Sequence, residues 1–92
     1  MKLRLTRTAA RQLDQILTEI AQLHPPGARA VQRRIQDAMD LLLRHPQVGQ
    51  ATGRRNIRRI VITPYPYVFT YRLGDGEIVI RTLRHTARRP LV

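Results

Sequence analysis

The sequence predicts an α+β fold, in which an N-terminal short strand and an antiparallel helical hairpin pack on a small antiparallel β-sheet. Two observations carry that prediction. Through the first half, apolar residues recur three and four apart, the spacing of one helix face; after Pro46 they condense into short β-branched and aromatic runs separated by turn residues. Strands that follow a helical hairpin in sequence pack back on it in space.

The elements follow in order. Leu3-Arg4-Leu5 alternates and suits a short first strand that joins the sheet. From Thr8 the period changes: Leu13, Ile16, Leu17, Ile20 and Leu23 share one helix face, with Asp14, Gln15, Thr18, Glu19 and Gln22 on the other. Thr6 or Thr8 can supply the N-cap oxygen. His24-Pro25-Pro26-Gly27 breaks the chain, and Pro26 falls near the start of a second helix, where a missing N–H costs nothing. That helix runs to about His45, with Val31, Ile35, Ala38, Met39 and Leu42 on one face and Pro46 ending it. A short break between amphipathic helices makes an antiparallel hairpin. Leu41, Leu42 and Leu43 in a row cannot all face one core, so at least one is exposed or meets a partner. Gly, Thr and Arg through Asn56 read as a loop of about ten residues. Three strands follow: one centred on Ile60-Val61-Ile62, one over 67–73, and one over 78–83, the last two joined at Gly74-Asp75-Gly76. Tyr67, Phe69, Tyr71 and Leu73 alternate along the middle strand and place one of its faces in the core, with hydroxyls at the rim.

At 92 residues the chain fits one small domain, with a net stability of roughly 5–14 kcal/mol on the usual per-residue scale. It has no cysteine, which excludes disulfides, thiolate metal sites and a cysteine nucleophile, and suits a reducing compartment. Its N-terminus lacks the apolar run of a signal peptide, and no segment approaches the ~20 apolar residues of a membrane span. A cytoplasmic protein without membrane association is expected. The three histidines, His24, His45 and His85, have neither i, i+4 pairing nor a nearby carboxylate cluster, so no metal and no cofactor is expected.

The net charge is +11, and the basic side is 16 arginines against Lys2 alone. A GC-rich genome accounts for choosing arginine over lysine but not for the shortage of Asp and Glu. A guanidinium-rich surface suits nucleic acid or an acidic protein partner. Residues 1–45 carry eight basic and four acidic side chains, and residues 46–92 carry nine and two, so the strand half is the basic half. Its arginines form two groups, Arg54, Arg55, Arg58 and Arg59 before the sheet and Arg81, Arg84, Arg88 and Arg89 at its far end. If the sheet brings them together, they form a concave positive site.

Several of these residues, in this order, resemble the RelE/ParE superfamily of toxins from type II toxin–antitoxin, or plasmid stabilisation, modules, closest to the ParE-like branch. The resemblance rests on the Thr-initiated helix with Leu13, Ile16 and Ile20, on Leu43-Arg44-His45-Pro46 followed by Val48-Gly49, and on Arg58 opening a strand. It continues through Pro66-Tyr67-Val68-Phe69-Thr70-Tyr71-Arg72 and through Ile78-Val79-Ile80 to Arg84-His85-Thr86-Ala87-Arg88. Each motif is weak alone; their order and spacing are specific. The resemblance covers nearly the whole length and implies a single toxin domain over 1–92.

The branches of that superfamily differ in target. RelE-like and YoeB-like members cleave messenger RNA on the ribosome, whereas characterised ParE-like members inhibit DNA gyrase without an evident catalytic centre. Cleavage at a 2′-hydroxyl needs a proton acceptor, a charge stabiliser for the phosphate and a proton donor for the leaving oxygen. The ribosome-dependent nucleases commonly have a tyrosine near the C-terminus, and this chain has none after Tyr71, nor any carboxylate between Asp40 and Asp75. Arg58, Arg81, Arg84 and His85 still make a conceivable metal-independent centre, so a ribosome-dependent endoribonuclease remains the alternative to the gyrase inhibitor. His85 at a strand end also has a plainer reading, as a hydrogen-bonding surface residue.

The candidate target- or antitoxin-binding residues are therefore Arg54, Arg55, Arg58, Arg59, Arg81, Arg84, His85, Arg88 and Arg89. The partners implied by the resemblance are a cognate acidic antitoxin protein and DNA gyrase, or alternatively the ribosome and messenger RNA. Apolar positions left over from the hairpin, such as Leu41 or Leu43, can dock the antitoxin.

Overall fold

A computed structural model describes residues 1–86. Its elements run β1 (Lys2–Leu5), α1 (Arg7–Leu23), α2 (Pro25–Arg44), β2 (Gln50–Ala51), β3 (Ile57–Val61), β4 (Tyr67–Gly74) and β5 (Glu77–His85). The two helices form the expected hairpin and pack on one face of a five-stranded sheet of order β1-β5-β4-β3-β2. From β2 to β5 the sheet is antiparallel; β1 joins the far edge parallel to β5, pairing Leu3 with Ile78 and Leu5 with Ile80, so the complete sheet is mixed.

Thr6 is the N-cap of α1: its hydroxyl accepts from the Ala9 N–H at 3.0 Å, so the helix starts one residue earlier than the apolar period indicates. His24 ends α1 and caps α2 at once. Its N–H donates to the Ile20 carbonyl, and its own carbonyl accepts from Gly27 and Ala28. The buried stripe of α2 is Val31, Ile35, Ala38 and Leu42, with Met39 half-buried beside it. Leu42 is fully buried, Leu41 partly, and Leu43 is exposed, which divides the three leucines as helical geometry requires. On α1 the stripe overshoots its support: Leu13, Ile16, Leu17 and Ile20 pack against the core, but Leu23, at the hairpin turn, is 90% exposed.

On the sheet side the core is Ile62, Phe69, Tyr71, Ile78, Ile80 and Leu83. The first of the three strands expected after the loop is shifted from its predicted centre at Ile60-Val61-Ile62. β3 opens at Ile57, Val61 points away from the helices and is exposed, and the buried member of Ile60-Val61-Ile62 is Ile62, just past the strand. The expected loop of about ten residues contains β2, whose two residues pair with Arg58 and Arg59.

One irregularity organises the open face of the sheet. The β4–β5 register slips between Thr70 and Tyr71, where Thr70 pairs with Thr82 but Tyr71 pairs with Ile80, leaving Arg81 as an extra residue in β5. The bulge puts Ile78, Ile80 and Leu83 on the same face although their spacing breaks the period of two. Helix α1 satisfies the backbone there. The Thr6 N–H donates to the Ile80 carbonyl at 2.9 Å, the Thr6 hydroxyl donates to the Arg81 carbonyl at 3.0 Å, and the Gln12 side-chain oxygen accepts from the Leu83 N–H at 2.8 Å. Thus α1 closes the stretch of β5 edge that β1 is too short to cover.

Candidate functional site: an arginine cleft on the open face of the sheet

Partners across a sheet share a face, so the register assigns each strand residue to the helix side or to the open side. Arg58 pairs with Tyr71, and His85 pairs with Tyr67, which places both on the helix side. Arg59 pairs with Thr70, Thr70 with Thr82, and Val68 with Arg84, which places these on the open side. Arg81, the unpaired bulge residue, lines the same recess as Thr82 and Arg84, so the four residues considered as a nuclease centre are split two and two between the faces.

On the helix side Arg58 is a strut. Its guanidinium donates to the Gly49 carbonyl at 2.7 Å and the Gln47 carbonyl at 3.2 Å, across the loop that leaves α2. Beside it the fully buried Tyr71 donates its hydroxyl proton to the Pro46 carbonyl at 2.8 Å and accepts from the Gly49 N–H at 2.9 Å. Burial raises the Tyr71 pKa; the Gly49 hydrogen bond and the nearby Arg58 charge oppose that rise. A Cβ at Gly49 would stand 2.5 Å from the Tyr71 hydroxyl and 2.8 Å from the Arg59 carbonyl, so the loop approaches the sheet more closely than any side chain permits. His85 meets Tyr67 edge to face, with ring centroids 5.4 Å apart.

On the open side a cleft of about 320 Å³ is lined by Arg54, Arg81, Arg84 and three threonines, Thr52, Thr70 and Thr82, with Ile57 and Val68 in its wall. Each arginine arrives for a local reason. The β2–β3 turn delivers Arg54: the Thr52 hydroxyl accepts from the Arg54 N–H at 3.1 Å and donates to the Ile57 carbonyl at 2.9 Å, and Asn56 takes a left-handed φ of 61° that asparagine tolerates. The bulge delivers Arg81 beside Thr82, and regular alternation delivers Arg84. The hydroxyls of Thr70 and Thr82 are hydrogen-bonded to each other across the strands. Among the described residues, no carboxylate lines the cleft. Towards the β1 edge the same face does carry a carboxylate: Glu77 lies 3.2 Å from Arg4 and 4.0 Å from Arg72, and the buried Val79 is the cross-strand partner of both arginine positions. Neither Arg81 nor Arg84 has an ion pair among the described residues.

The expected concave positive site thus forms from part of the candidate set. Arg54, Arg81 and Arg84 meet in the cleft, Arg59 lies next to it on the same face, and Arg55 is exposed in the adjoining turn. Arg58 and His85 face the other way, and Arg88 and Arg89 lie outside the described residues. The threonines do not stand out in the sequence because threonine is ordinary in strands. The one signal for them is the 78, 80, 83 spacing, which demands a bulge and so sets Arg81 and Thr82 side by side.

Chemically, the cleft offers guanidinium forks to phosphate or carboxylate oxygens. Among the described residues, its lining includes no His, Asp, Glu or Tyr to move a proton. No group of three His, Asp or Glu side chains among the described residues can hold a metal ion, and none of their helices is long and apolar enough to cross a membrane.

Comparison with known proteins agrees with this architecture. A family model described as "ParE toxin of type II toxin-antitoxin system, parDE" matches residues 3–90. The putative toxin Y4kP of Sinorhizobium fredii is 32% identical over 84 residues, covering 91% of this chain and 86% of the relative. Toxin RelE2 of Caulobacter vibrioides is 34% identical over 83 residues, covering 90% and 92%. A chain of the chromosomal ParDE system from P. aeruginosa superposes with a TM-score of 0.69 at 25% identity, covering 92% of this chain and 95% of that one. The isolated E. coli RelE toxin superposes with a TM-score of 0.70 at 13% identity, covering 97% and 87%, which is a likeness of fold. With the helical hairpin, the mixed sheet and these matches in agreement, the chain belongs to the ParE toxin family of type II toxin–antitoxin systems.

Proposed function

We propose that this toxin inhibits DNA gyrase by binding, without a catalytic step of its own, and that a cognate acidic antitoxin encoded alongside neutralises it in the cytoplasm. One observation supports this reading over message cleavage: the arginine cleft has no proton-transfer side chain in its described lining, while Arg58 and His85 lie on the opposite face of the sheet. Three guanidiniums can hold an anionic surface in place, but in-line attack by a 2′-hydroxyl also needs a base and an acid within hydrogen-bond reach. The unbalanced charge of +11 supports the antitoxin, because an acidic partner associates quickly with such a surface and masks it from other polyanions.

The test uses the purified toxin in two assays. With gyrase and relaxed plasmid, supercoiling should stop in a toxin-dependent manner; with programmed ribosomes, the message should remain intact. Cut message together with unimpaired supercoiling would overturn the reading in favour of a ribosome-dependent endoribonuclease.

A further inference from the structure

A second recess lies away from the arginine cleft, where the end of α2, the first residue and the β4 end of the last hairpin come together. This groove, about 630 Å³, has walls that include Met1, Arg44, His45, Pro46, Val48 and Leu73. Two of its apolar residues are open to solvent, Met1 at 65% and Val48 at 48% exposure. Val48 is held there by hydrogen bonds from the sheet. The loop over 46–49 is tied from beneath by Tyr71 to Pro46 and Gly49, and by Arg58 to Gln47 and Gly49. Those four hydrogen bonds hold the loop in place beneath an exposed valine. An apolar wall fixed in advance lowers the ordering cost that a binding partner must meet. The rim carries the Arg44 guanidinium beside His45, and among the described residues no carboxylate lines the groove.

We propose that this groove is a docking site for the antitoxin and that it takes an aliphatic side chain from an acidic segment of that protein. The proposal rests on the reading that an acidic antitoxin neutralises the toxin. Charge selects this occupant. A second copy of the chain in the same recess would bring two Arg44 guanidiniums together on bodies that each carry +11, whereas carboxylates flanking an aliphatic anchor would meet Arg44 with opposite sign. The apolar wall supplies the burial and the arginine sets the orientation, the usual division of work at a small hot spot.

The experiment titrates the purified cognate antitoxin into full-length toxin variants by calorimetry at low and moderate salt, with thermal melts to confirm folding. Val48→Asp should weaken binding at least tenfold and Val48→Thr by a smaller factor. Arg44→Glu should weaken it several-fold and flatten its salt dependence. Leu23→Asp, which adds the same charge at the exposed far end of the hairpin, should bind as the unaltered chain does. Unchanged binding by Val48→Asp, or an equal loss in Leu23→Asp, overturns the groove while leaving the antitoxin reading intact. Absence of binding by the unaltered chain overturns both.

Discussion

The two faces of the sheet use the same residue type for opposite purposes, and the neighbours Arg58 and Arg59 show it most clearly. Arg58 points towards the helices and commits its hydrogen bonds to two backbone carbonyls of the loop after α2. Arg59 points to the open face, is exposed, and lies beside a cleft where Arg54, Arg81 and Arg84 converge without a carboxylate in the described lining. On the helix side, polar groups are matched within the protein, which stabilises the fold. At the cleft on the open side, the described lining leaves the guanidiniums without a carboxylate.

The sharpest way to break this comparison is to truncate side chains on the two faces of the same strand. Phe69→Ala, on the helix side and fully buried, should cost about 3–5 kcal/mol in urea denaturation. Val68→Ala, its half-buried neighbour on the open side, should cost about 1 kcal/mol or less. Similar losses at both would mean that the open face carries a core of its own.

Tyr71→Phe comes next, at about 1–3 kcal/mol, because the Gly49 N–H and the Pro46 carbonyl each lose a partner in a water-poor setting. This substitution also has a pH signature. Burial raises the folded-state pKa of Tyr71 above the ordinary 10.0, so the folded chain keeps the proton after the unfolded chain has released it. The residue's contribution is therefore fully present below that ordinary value and is lost as pH rises through the higher folded one. Melting temperatures at alkaline pH should fall less steeply in Tyr71→Phe than in the unaltered protein.

Smaller again is the contrast between the neighbouring arginines. Arg58→Ala should cost about 1 kcal/mol through its two carbonyl bonds, and Arg59→Ala should stay within about 0.5 kcal/mol, as exposed substitutions generally do. The double change Arg81→Ala with Arg84→Ala should be equally mild in a melt. It should nonetheless elute from heparin at distinctly lower salt, since each guanidinium removed takes away one phosphate-type contact. At the bottom of the scale is Arg4→Ala. Its pairing with Glu77 is solvent-exposed and worth about 0–1 kcal/mol, and the loss should fade as salt is added.

Much of this arrangement is legible in the amino-acid sequence. The helical stripes around Val31, Ile35, Ala38 and Leu42, the alternation of Tyr67, Phe69 and Tyr71, and the turn at Gly76 are local patterns. Each depends on a period or a dihedral that neighbouring residues determine. Other features depend on distant partners. β1 is four residues long and says nothing by itself about pairing parallel to β5, seventy-odd positions away. β2 has two residues and no pattern at all. For the site, the sequence displays both arginine groups but not the faces they occupy. Regular alternation separates Arg58 from Arg59, while a bulge pinned by the N-cap Thr6 and by Gln12 of α1 brings Arg81 to the cleft. The role of Arg58 is hidden for a related reason. An arginine opening a strand resembles a ligand-binding residue until the carbonyls of the 47–49 loop are seen to accept from it.

The most direct test of the central claim is to induce the toxin in bacteria without its antitoxin and follow DNA and protein synthesis separately by incorporation of labelled precursors. Inhibition of gyrase by binding predicts that DNA synthesis falls first, with filamentation, and that the Arg81→Ala, Arg84→Ala double variant relieves the arrest while remaining folded. A collapse of protein synthesis within minutes, with DNA synthesis following later, would contradict the account and restore Arg58 and His85 as the residues to substitute.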